Sequence, residues 1–574
     1  MNMTKLFKSF NWLYVFVIAA VIAGSTVFGL YAENISAVLH EIRQNLFNSF
    51  VTGVVVMLAV VGLYLFLVKL TNLELGKVKV VNRFNNLVEW VFKKTDRLYA
   101  VIFLTWVPYV LAIFPGAAGW DLAMQVQEVV DNKGHLAREH AFAPSDVYPI
   151  AHYLVEEGHG LLTNQHNFFL TMIYGGVAKY SLQWFDSFVP GVAFLAVTQM
   201  LFTIFAFAYT LKVLGKYVKN TVIKLVAFLI VEISFLIPIS GMDLNKNALF
   251  AAAFVLFLGI VITYLKGDNS TGTFWLLLIT TVVILIAVKF GWMIIAAELV
   301  IAIFYKSLRK PFILALGIPL IIFKVSLAVL FSTGVVIEDD PIEAKGIQIQ
   351  QVALYLREYP DDISRKDKAA LNKIFNLKLA ADTYNPNNTD PVKSSGYYDK
   401  FSYRFRTMKA KYWDGFNGIW LRMFAKHPSV FIRAAALKFY SYFDVFSPQI
   451  RDLTVTLPDF NLKGEELDGV KHGQPNDNVV RNFLDRLIHQ DKGVISLLNS
   501  GVWFNVLGLI IIGAIIYRWA WHSLLIIMPF GVQVAAMIVS PLNGSTRYSL
   551  GFIFAFFAIV MLLFADQSVR NNKK

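Results

Sequence analysis

The sequence predicts an all-α polytopic membrane protein, and its composition and recurring apolar runs are the reasons. Hydrophobic residues make up 56% of the 574 residues and charged residues only 16%, with a mean hydropathy of +0.55 that soluble domains do not reach. Runs of about 20 apolar residues, the length that crosses a hydrocarbon core about 30 Å thick, recur along the chain. A membrane β-barrel would instead show alternating strands of about ten residues.

The predicted membrane helices number about 11 to 14, counted as runs that can cross the hydrocarbon core. Residues 166–187 are also apolar, but a full crossing there would break the alternation of sides. Either this segment is re-entrant or another span is miscounted. The predicted helices lie near residues 11–32, 47–70, 98–118, 188–211, 221–239, 247–265, 273–288, 292–305, 310–335, 495–517, 521–541 and 546–566.

Short cationic loops set the predicted orientation in the cell membrane, because Lys and Arg in such loops stay on the cytoplasmic side. Both termini and the 70–97 segment are predicted to lie inside, so the third helix runs outward and residues 119–165 and 336–492 lie outside. The net charge of +13 is explained in this way, and binding of nucleic acid is not expected. The cations that set the orientation are Lys5, Lys8, Lys69, Lys77, Lys79, Arg83, Lys93, Lys94, Arg97, Lys212, Lys216, Lys219, Lys224, Lys306, Arg309, Lys310, Arg518, Arg570, Lys573 and Lys574.

Three parts are predicted along the chain. Residues 1–335 form a transmembrane module that includes the first extracellular loop, 119–165. An extracellular domain, 336–492, follows where the hydropathy falls, and residues 493–574 form the C-terminal transmembrane helices. The extracellular domain is long enough to bury its own core and is expected to be mostly helical. Its aromatic stretches, such as "KYWDGFNGIW", could stack on sugar rings, but a place in the core of the domain is the simpler interpretation.

The first extracellular loop is predicted to begin with an amphipathic helix that lies on the membrane surface. Leu122 and Val126 recur at helical spacing, and the polar residues Gln125 and Glu128 alternate with them. A helix of this pattern buries its apolar face in the lipid interface and turns its polar face to water.

Asp121 is the strongest candidate for chemistry. It follows Trp120 in "AIFPGAAGWD", directly after the third predicted membrane helix. A carboxylate beside an apolar helix end loses solvation, which raises its pKa and makes it a stronger base unless a cation compensates. The alternative is that Asp121 caps a helix that begins at Leu122. His166, just ahead of another apolar stretch, is either a substrate contact or an ordinary interfacial histidine.

Two polar clusters and one isolated lysine are predicted to open on the same outer face. Asp243 and Lys246 lie in "IPISGMDLNKNALF", Arg547 and Tyr548 lie in "SPLNGSTRYSLGF", and Lys289 interrupts "AVKFGWMII". Cations at the outer leaflet run against the positive-inside trend, and their place near an acid suggests a bound anionic group. The alternative is that these side chains snorkel to lipid phosphates.

Several segments together carry a family resemblance. They are "FPGAAGWD", "TNQHNFFLT", "GIQIQQVALYLREYPDDISRKDKAALNKIF", "TYNPNNTDPVK", "WLRMFAKHPSVFIRAA" and "SPLNGSTRYSLGFIFA", and they run through most of the chain. Their order resembles the GT-C superfamily of membrane glycosyltransferases, which use polyprenyl-phosphate-linked sugars. The chain is most similar to an uncharacterised GT-C-like family of Gram-positive bacteria.

The resemblance implies a glycosyltransferase that inverts the anomeric carbon, with its active site on the extracellular face. Asp121 would be the general base that deprotonates the acceptor hydroxyl. Lys246, Lys289 and Arg547 would bind the phosphate of the donor. Further substrate contacts are expected from Trp120, His166, Asp243 and Tyr548, of which Asp243 would also supply the acid that the family has at position 247.

The chain departs from the family pattern at three places. His166 is followed by Asn167 where the family has proline, and Lys246 is followed by Asn247 where it has aspartate. Lys289 stands where the family has arginine. These departures leave the superfamily resemblance intact and bear on the substrate.

The implied partners are a polyprenyl-phosphate sugar donor, a cell-wall or lipid-linked glycan acceptor such as a teichoic acid or wall polysaccharide, and the lipid bilayer. A divalent metal, Mg²⁺ or Mn²⁺, is an option because some GT-C enzymes use one, but no dense cluster of Asp, Glu and His in the sequence demands it. A thiolate metal site is excluded, since the chain contains no cysteine.

Two other functions stay open at this point. A lipid-linked glycan ligase or polymerase would also have many helices, a large outer loop and outer-face arginines, but its donor would be an oligosaccharide on a diphosphate. A transporter or flippase would need a polar path through the membrane midplane and inverted repeats. The sequence shows no convincing repeat and its acids cluster at helix ends on one face, so transport is the less favoured of the two.

Overall fold

The computed structural model describes residues 3–32, 37–72, 82–117, 120–130, 162–339, 341–393, 402–404, 410–446, 483, 486 and 500–566. Within these ranges the chain is an all-α polytopic membrane protein, as its composition predicts. Eight helices are long and apolar enough to cross a membrane, and three shorter apolar helices accompany them. Most of the C-terminal half of the predicted extracellular domain, from residue 447 onward, lies outside the described residues.

The helices and strands follow one another in chain order. Up to residue 130 they are α1 (Met3–Leu30), α2 (Val38–Gln44), α3 (Leu46–Asn72), α4 (Asn82–Phe92), α5 (Thr95–Ile113) and α6 (Trp120–Val130). Between residues 162 and 337 they are β1 (Leu162–Thr163), α7 (Phe168–Phe185), α8 (Val189–Gly215), α9 (Thr221–Ile233), α10 (Leu236–Gly241), α11 (Lys246–Leu265), α12 (Thr271–Ala287), α13 (Gly291–Ala302), α14 (Lys306–Phe312), a π-helix (Ile313–Gly317), α15 (Ile318–Ser332) and β2 (Val336–Ile337). After residue 340 they are a 3₁₀ turn (Pro341–Lys345), α16 (Gly346–Glu358), α17 (Arg365–Leu371), α18 (Leu377–Asp382), α19 (Asp390–Lys393), a 3₁₀ turn (Ala410–Tyr412), α20 (Phe416–Lys426), α21 (Pro428–Phe439), a 3₁₀ turn (Tyr440–Tyr442), α22 (Gly501–Trp519), a 3₁₀ turn (Ala520–Ser523), α23 (Leu524–Val539) and α24 (Thr546–Phe564).

The centre of the bundle is α11, which packs against α8, α12 and α24. Its sequence is apolar on every face, and almost every residue of it is buried, as expected for a helix without an amphipathic stripe. Aromatic rings join α8 to α24, since the ring of Phe207 lies 5.5 Å from that of Phe554 and 5.3 Å from that of Phe557. The core therefore packs α11 against α24. These two helices begin at the polar residues Lys246 and Thr546.

The eight long apolar helices are fewer than the predicted spans, because four predicted spans are short helices. The segments predicted at 273–288, 292–305 and 521–541 are α12, α13 and α23, which are 17, 12 and 16 residues long and shorter than each of the eight long helices. The segment predicted at 221–239 is two helices, α9 and α10, with a break at Ser234. Pro238 explains the break, since proline has no N–H to donate to the carbonyl four residues earlier.

Residues 166–187, whose path the sequence left open, contain a single 18-residue helix, α7. It packs along α6 and α8. Asn167 caps it, because the Asn167 side chain accepts a hydrogen bond from the backbone N–H of Phe169 at 3.2 Å.

The described part of the predicted extracellular domain is helical, from α16 to α21. Its aromatic residues pack on one another, as the simpler interpretation of "KYWDGFNGIW" expects. The ring of Trp413 lies 5.0 Å from that of Phe416, and the ring of Tyr403 lies 5.9 Å from that of Phe375. Phe375, Tyr403 and Phe416 are buried, so these rings form a small core.

Candidate active site

Two turns at the same end of the bundle are joined by backbone hydrogen bonds. The N–H of Ala117, after α5, donates to the carbonyl of Met242 at 3.0 Å, and the N–H of Leu244 donates to the carbonyl of Ala117 at 2.9 Å. Gly116 makes this approach feasible, because it has a φ of +141° and an added Cβ would lie 2.6 Å from the Cβ of Ala196. The contact brings the start of α6 beside the start of α11.

Asp121 and Lys246 meet where these two helices begin. The Nζ of Lys246 lies 2.8 Å from the Oδ2 of Asp121. Lys246 is the first residue of α11, where a cation opposes the helix dipole, so the carboxylate of Asp121 offsets an unfavourable position. Asn245 caps this helix by accepting a hydrogen bond from the N–H of Asn247 at 2.9 Å. The side chains of Asp121 and Lys246 are 20% and 25% exposed, respectively, so a ligand can reach both of them.

Arg547 brings a second cation to the same carboxylate. Its Nη1 lies 4.0 Å from the Oδ2 of Asp121, and Arg547 is the second residue of α24. Its guanidinium lies over the ring of Tyr548, 4.8 Å from the centroid, and its Nη2 donates to the Tyr548 hydroxyl at 3.0 Å. Two cations at two helix N-termini thus converge on one acid.

These cations set the charge of Asp121. Burial by itself raises the pKa of its carboxyl, but the charges of Lys246 and Arg547 outweigh burial and hold the pKa well below its usual range. Asp121 is therefore ionised and compensated in the resting site. It lies in the first turn of α6, whose described part begins at Trp120, and residues 118–119 lie outside the described residues.

His166 reaches the same cluster. Its Nδ1 lies 3.3 Å from the Nζ of Lys246. Since an ammonium group only donates, Nδ1 accepts and the ring proton is on Nε2. Burial lowers the pKa of His166 to about 3, and the charge of Lys246 adds to this, so the ring is neutral. The next residue, Asn167, donates through Nδ2 to the carbonyl of Leu285 at 2.8 Å, a bond to α12 that a proline there would lack.

The polar face of α6 is buried, so the prediction that it faces water on the membrane surface is wrong. Gln125 and Glu128 are 1% and 3% exposed. Gln125 donates through Nε2 to the Oγ1 of Thr171 at 3.2 Å, and Glu128 accepts from the backbone N–H of Thr163. α7 packs along α6 on the side of Gln125, and β1 lies against it at Glu128.

Glu128 is a site residue that the sequence did not single out. Burial raises the pKa of Glu128 to about 7, although the N–H of Thr163 and the charge of Lys289 act against this. The sequence feature that points to Glu128 is its spacing. Gln125 follows Asp121 by four residues and Glu128 follows Gln125 by three, so the three residues share one helix face. Asp131, the next acid in the sequence, lies outside the described residues.

Lys289 lies close enough to Glu128 and His166 to interact with them electrostatically, but its ion-pair partner is Asp339. Its Nζ is 2.5 Å from the Oδ2 of Asp339, just after β2. Burial lowers the pKa of Lys289, and the charges of Asp339 and Glu343 oppose this effect. Glu343 in turn lies 2.7 Å from the Nζ of Lys393, so residues of the predicted extracellular domain supply both acids.

A short parallel pairing of β1 with β2 places Asp339, which follows β2, near the site. Leu162 pairs with Val336 and Thr163 with Ile337, which ties β2 to the strand that Glu128 holds. The start of the predicted extracellular domain is thus joined to the predicted first extracellular loop.

The loop 540–545 before α24 is held by the predicted extracellular domain. The side chain of Asn543 donates to the Oδ1 of Asn387 at 3.0 Å and accepts from the N–H of Ser441 at 3.2 Å. The N–H of Thr389 donates to the carbonyl of Pro541 at 2.9 Å. Two segments of the family resemblance, "TYNPNNTDPVK" and "SPLNGSTRYSLGFIFA", therefore contact each other, and their contact positions Arg547.

Asp243 and Trp120 complete the set of predicted residues. Asp243 lies in the turn that bonds Ala117, and its backbone carbonyl accepts from the Nε2 of Gln199 at 2.6 Å. Lys246 contacts the carboxylate of Asp121, and the role expected of Asp243 stays a prediction. The side chain of Trp120 lies outside the described residues. The structure thus brings Asp121, His166, Lys246, Arg547 and Tyr548 together, with Lys289 beside them.

The described residues do not contain a group of three or more His, Asp or Glu arranged to hold a metal ion. The carboxylate of Asp121 is compensated by amino-acid cations instead.

Comparison with known proteins adds one match. A family model described as "Family of unknown function (DUF6020)" matches residues 1–574. Neither a curated protein nor a solved structure matches the chain. What the protein does must therefore be inferred from its own residues.

Proposed function

The chain belongs to the DUF6020 family, whose function is unknown, and we propose that it is a membrane glycosyltransferase of the GT-C type. It transfers a sugar from a polyprenyl-phosphate-linked donor to a cell-envelope glycopolymer, with inversion at the anomeric carbon. The observation that carries this proposal is the convergence of Lys246 and Arg547 on the carboxylate of Asp121 at one end of a membrane bundle.

The charges of the site suit a donor with a phosphate group. Lys246 and Arg547 both lie in the first turn of a helix, where backbone N–H groups and the helix dipole attract anions. Both helices are buried in the bundle beyond that turn, so the apolar tail of an anion bound there would lie along a more exposed apolar helix such as α15. A phosphate on a polyprenyl chain has this combination of charge and apolar tail.

Asp121 then acts as the base. In the resting site its negative charge is neutralised by Lys246 and Arg547, which makes it a weak base. A donor phosphate that takes over these two cations removes the groups that lower the pKa of Asp121, while burial continues to raise it. Donor binding would therefore strengthen the base at the moment when it is needed.

The reaction is a single displacement. Asp121 accepts the proton of the acceptor hydroxyl as the hydroxyl oxygen bonds to the anomeric carbon. The bond from that carbon to the phosphate oxygen breaks, and the electron pair leaves with the lipid phosphate, whose charge Lys246 and Arg547 neutralise. One attack from the face opposite the phosphate inverts the anomeric carbon.

Neutral His166 supports this assignment of roles. It accepts a hydrogen bond from Lys246 without adding a charge, so it can orient the ammonium group toward Asp121 or toward the phosphate. The site lies on the extracellular side if the cationic loops stay in the cytoplasm, which suits a cell-wall or lipid-linked acceptor such as teichoic acid.

The test is to compare the wall glycans of a deletion strain that carries the wild-type chain, Asp121→Asn or Asp361→Asn. Asp361 is exposed and lies in the predicted extracellular domain, so Asp361→Asn is the matched control. Wild type and the control should restore the missing sugar, whereas Asp121→Asn should lower transfer by a factor of about 10² to 10⁴ because the base is lost.

Lipid extracts of the same strains identify the donor. A sugar on a polyprenyl monophosphate should accumulate in the deletion strain and with Asp121→Asn. Accumulation of an oligosaccharide on a diphosphate would point to a ligase or polymerase instead. Full restoration of wall glycans by Asp121→Asn, at wild-type protein levels, would exclude Asp121 as the base.

A further inference from the structure

Glu298 is a carboxyl group buried inside the helix bundle, away from the candidate active site. It is the one ionisable residue of α13, "GWMIIAAELVIA", and its side chain is 0% exposed. Neither of its carboxyl oxygens has a hydrogen-bond partner among the described residues. The proposed function makes no use of it.

The elements packed on α13 bring no counter-ion to this carboxyl. α12, the π-helix and α23 contain no charged residue. α15 carries Lys324, whose ammonium lies over the ring of Trp292, 4.0 Å from the centroid. The cations of α14, which are Lys306, Arg309 and Lys310, are exposed at its surface.

Two other titratable groups lie toward the same end of the bundle as α14. Tyr305 follows α13 and is close enough to interact electrostatically with Glu298. Its ring lies 6.0 Å from that of His522, in the 3₁₀ turn before α23.

Among the described residues, no group compensates the charge of a carboxylate at this position. Transfer of an unpaired ion from water into an apolar interior is so unfavourable that the group takes up a proton instead. The same space would accept an apolar side chain at no electrostatic cost, and ionisable residues inside membrane proteins commonly mark proton pathways.

We propose that Glu298 is a proton-binding site of the bundle, whose proton holds α13 in contact with α23. Loss of the proton leaves an unpaired charge buried on α13, which packs against α23. The charge can be solvated only if the helices separate enough to admit water, so proton occupancy determines the spacing of α13 and α23.

The neighbouring backbone is suited to such a movement. Pro529 interrupts the hydrogen bonds of α23, and Pro311 precedes the π-helix that packs on α13. The two helices also lead into the candidate active site. α13 begins two residues after Lys289, and α23 ends in the loop that leads to Arg547. Proton release at Glu298 would thus reach two of the site cations.

Infrared spectroscopy tests the proton directly. The difference spectrum between the wild-type protein and Glu298→Gln at neutral pH should contain the carbonyl stretch of a protonated carboxylic acid. Carboxylate bands in its place would overturn the proposal. Glu298→Gln is a neutral isostere and should fold, with a thermal unfolding midpoint at or above that of the wild type.

Hydrogen exchange tests the link to helix spacing. Between neutral and alkaline pH, after correction for the intrinsic rise in exchange rate, deuterium uptake in α13 and α23 of the wild type should increase. The same peptides of Glu298→Gln should show no increase, because the amide cannot lose a proton. An equal increase in both proteins would overturn the role of Glu298 in holding the helices together.

Discussion

At the scale of single residues, protonation decides what the site can do. Asp121 is ionised because Lys246 and Arg547 compensate it, whereas Glu128, on the same face of the same helix, is buried with only the N–H of Thr163 and the more distant charge of Lys289 to favour its ionised form. The two carboxyl groups therefore differ widely in pKa. Of the two, Asp121 is the one whose neighbouring cations, Lys246 and Arg547, could bind a phosphate.

Glu128 predicts a dependence of stability on pH. An unfolded Glu loses its proton near 4.5 while the folded protein keeps it to about 7, so the free energy of unfolding should fall as the pH rises between these values. The change amounts to about 3 kcal/mol from this one residue. Glu128→Gln still accepts from Thr163 and cannot titrate, so it should remove this part of the decline.

Thermal unfolding in detergent across this pH range checks the prediction. Glu338→Gln is the control, because Glu338 is exposed. A decline in Glu128→Gln as steep as that of the wild type would mean that Glu128 does not carry its proton into the neutral range.

At the scale of helices and turns, the site depends on where helices begin. α6, α11 and α24 all start at one end of the bundle, and each contributes a charged side chain from its first turn. The bonds between Ala117 and the turn before α11 place the first two starts side by side, and the loop 540–545 places the third.

Gly116→Ala should disrupt this arrangement. The residue has a φ of +141°, and an added Cβ would lie 2.6 Å from the Cβ of Ala196 in α8. We expect a loss of about 2 kcal/mol or more in the free energy of unfolding, since backbone strain of this kind costs about 1–3 kcal/mol before the steric clash is added.

Gly176→Ala is the matched control for thermal unfolding. Gly176 lies in α7 with no heavy atom within 4 Å of an added Cβ, so alanine there should be neutral or stabilising by up to about 1 kcal/mol. Equal midpoints for the two variants would show that the turn at Gly116 tolerates a side chain.

At the scale of the whole molecule, three distant parts of the chain build one site. The predicted first extracellular loop contributes Asp121 and Glu128, the predicted extracellular domain contributes Asp339 and Glu343, and the C-terminal helices contribute Arg547. The predicted extracellular domain contacts the loop 540–545 and the strand β1, so it is part of the site rather than a separate appendage.

Sidedness can be measured directly because the chain has no cysteine. Asp361→Cys and Lys219→Cys each introduce a single exposed thiol, the first in the predicted extracellular domain and the second between α8 and α9. A membrane-impermeant maleimide should label Asp361→Cys in intact cells and label Lys219→Cys only after permeabilisation. The reverse pattern would place the candidate site on the cytoplasmic side and remove the argument for a cell-wall acceptor.

Composition and local pattern were enough to predict the membrane bundle and its individual polar residues. Hydropathy depends on nearby residues alone, so the all-α class and most helix positions follow from it. Asp121, Lys246 and Arg547 could be identified in the same way, because a charged residue next to an apolar run is recognisable from the sequence alone.

Only the tertiary structure decided which of these charges meet. Asp121 and Lys246 are joined through the turn at Gly116, and Asp339 reaches Lys289 through the pairing of β1 with β2, contacts between segments far apart in sequence. The amphipathic spacing predicted that Glu128 faces water, yet it is buried and bonded to the N–H of Thr163 in β1. Long-range packing sets the solvation and the counter-ions of each group, and therefore its pKa and its chemistry.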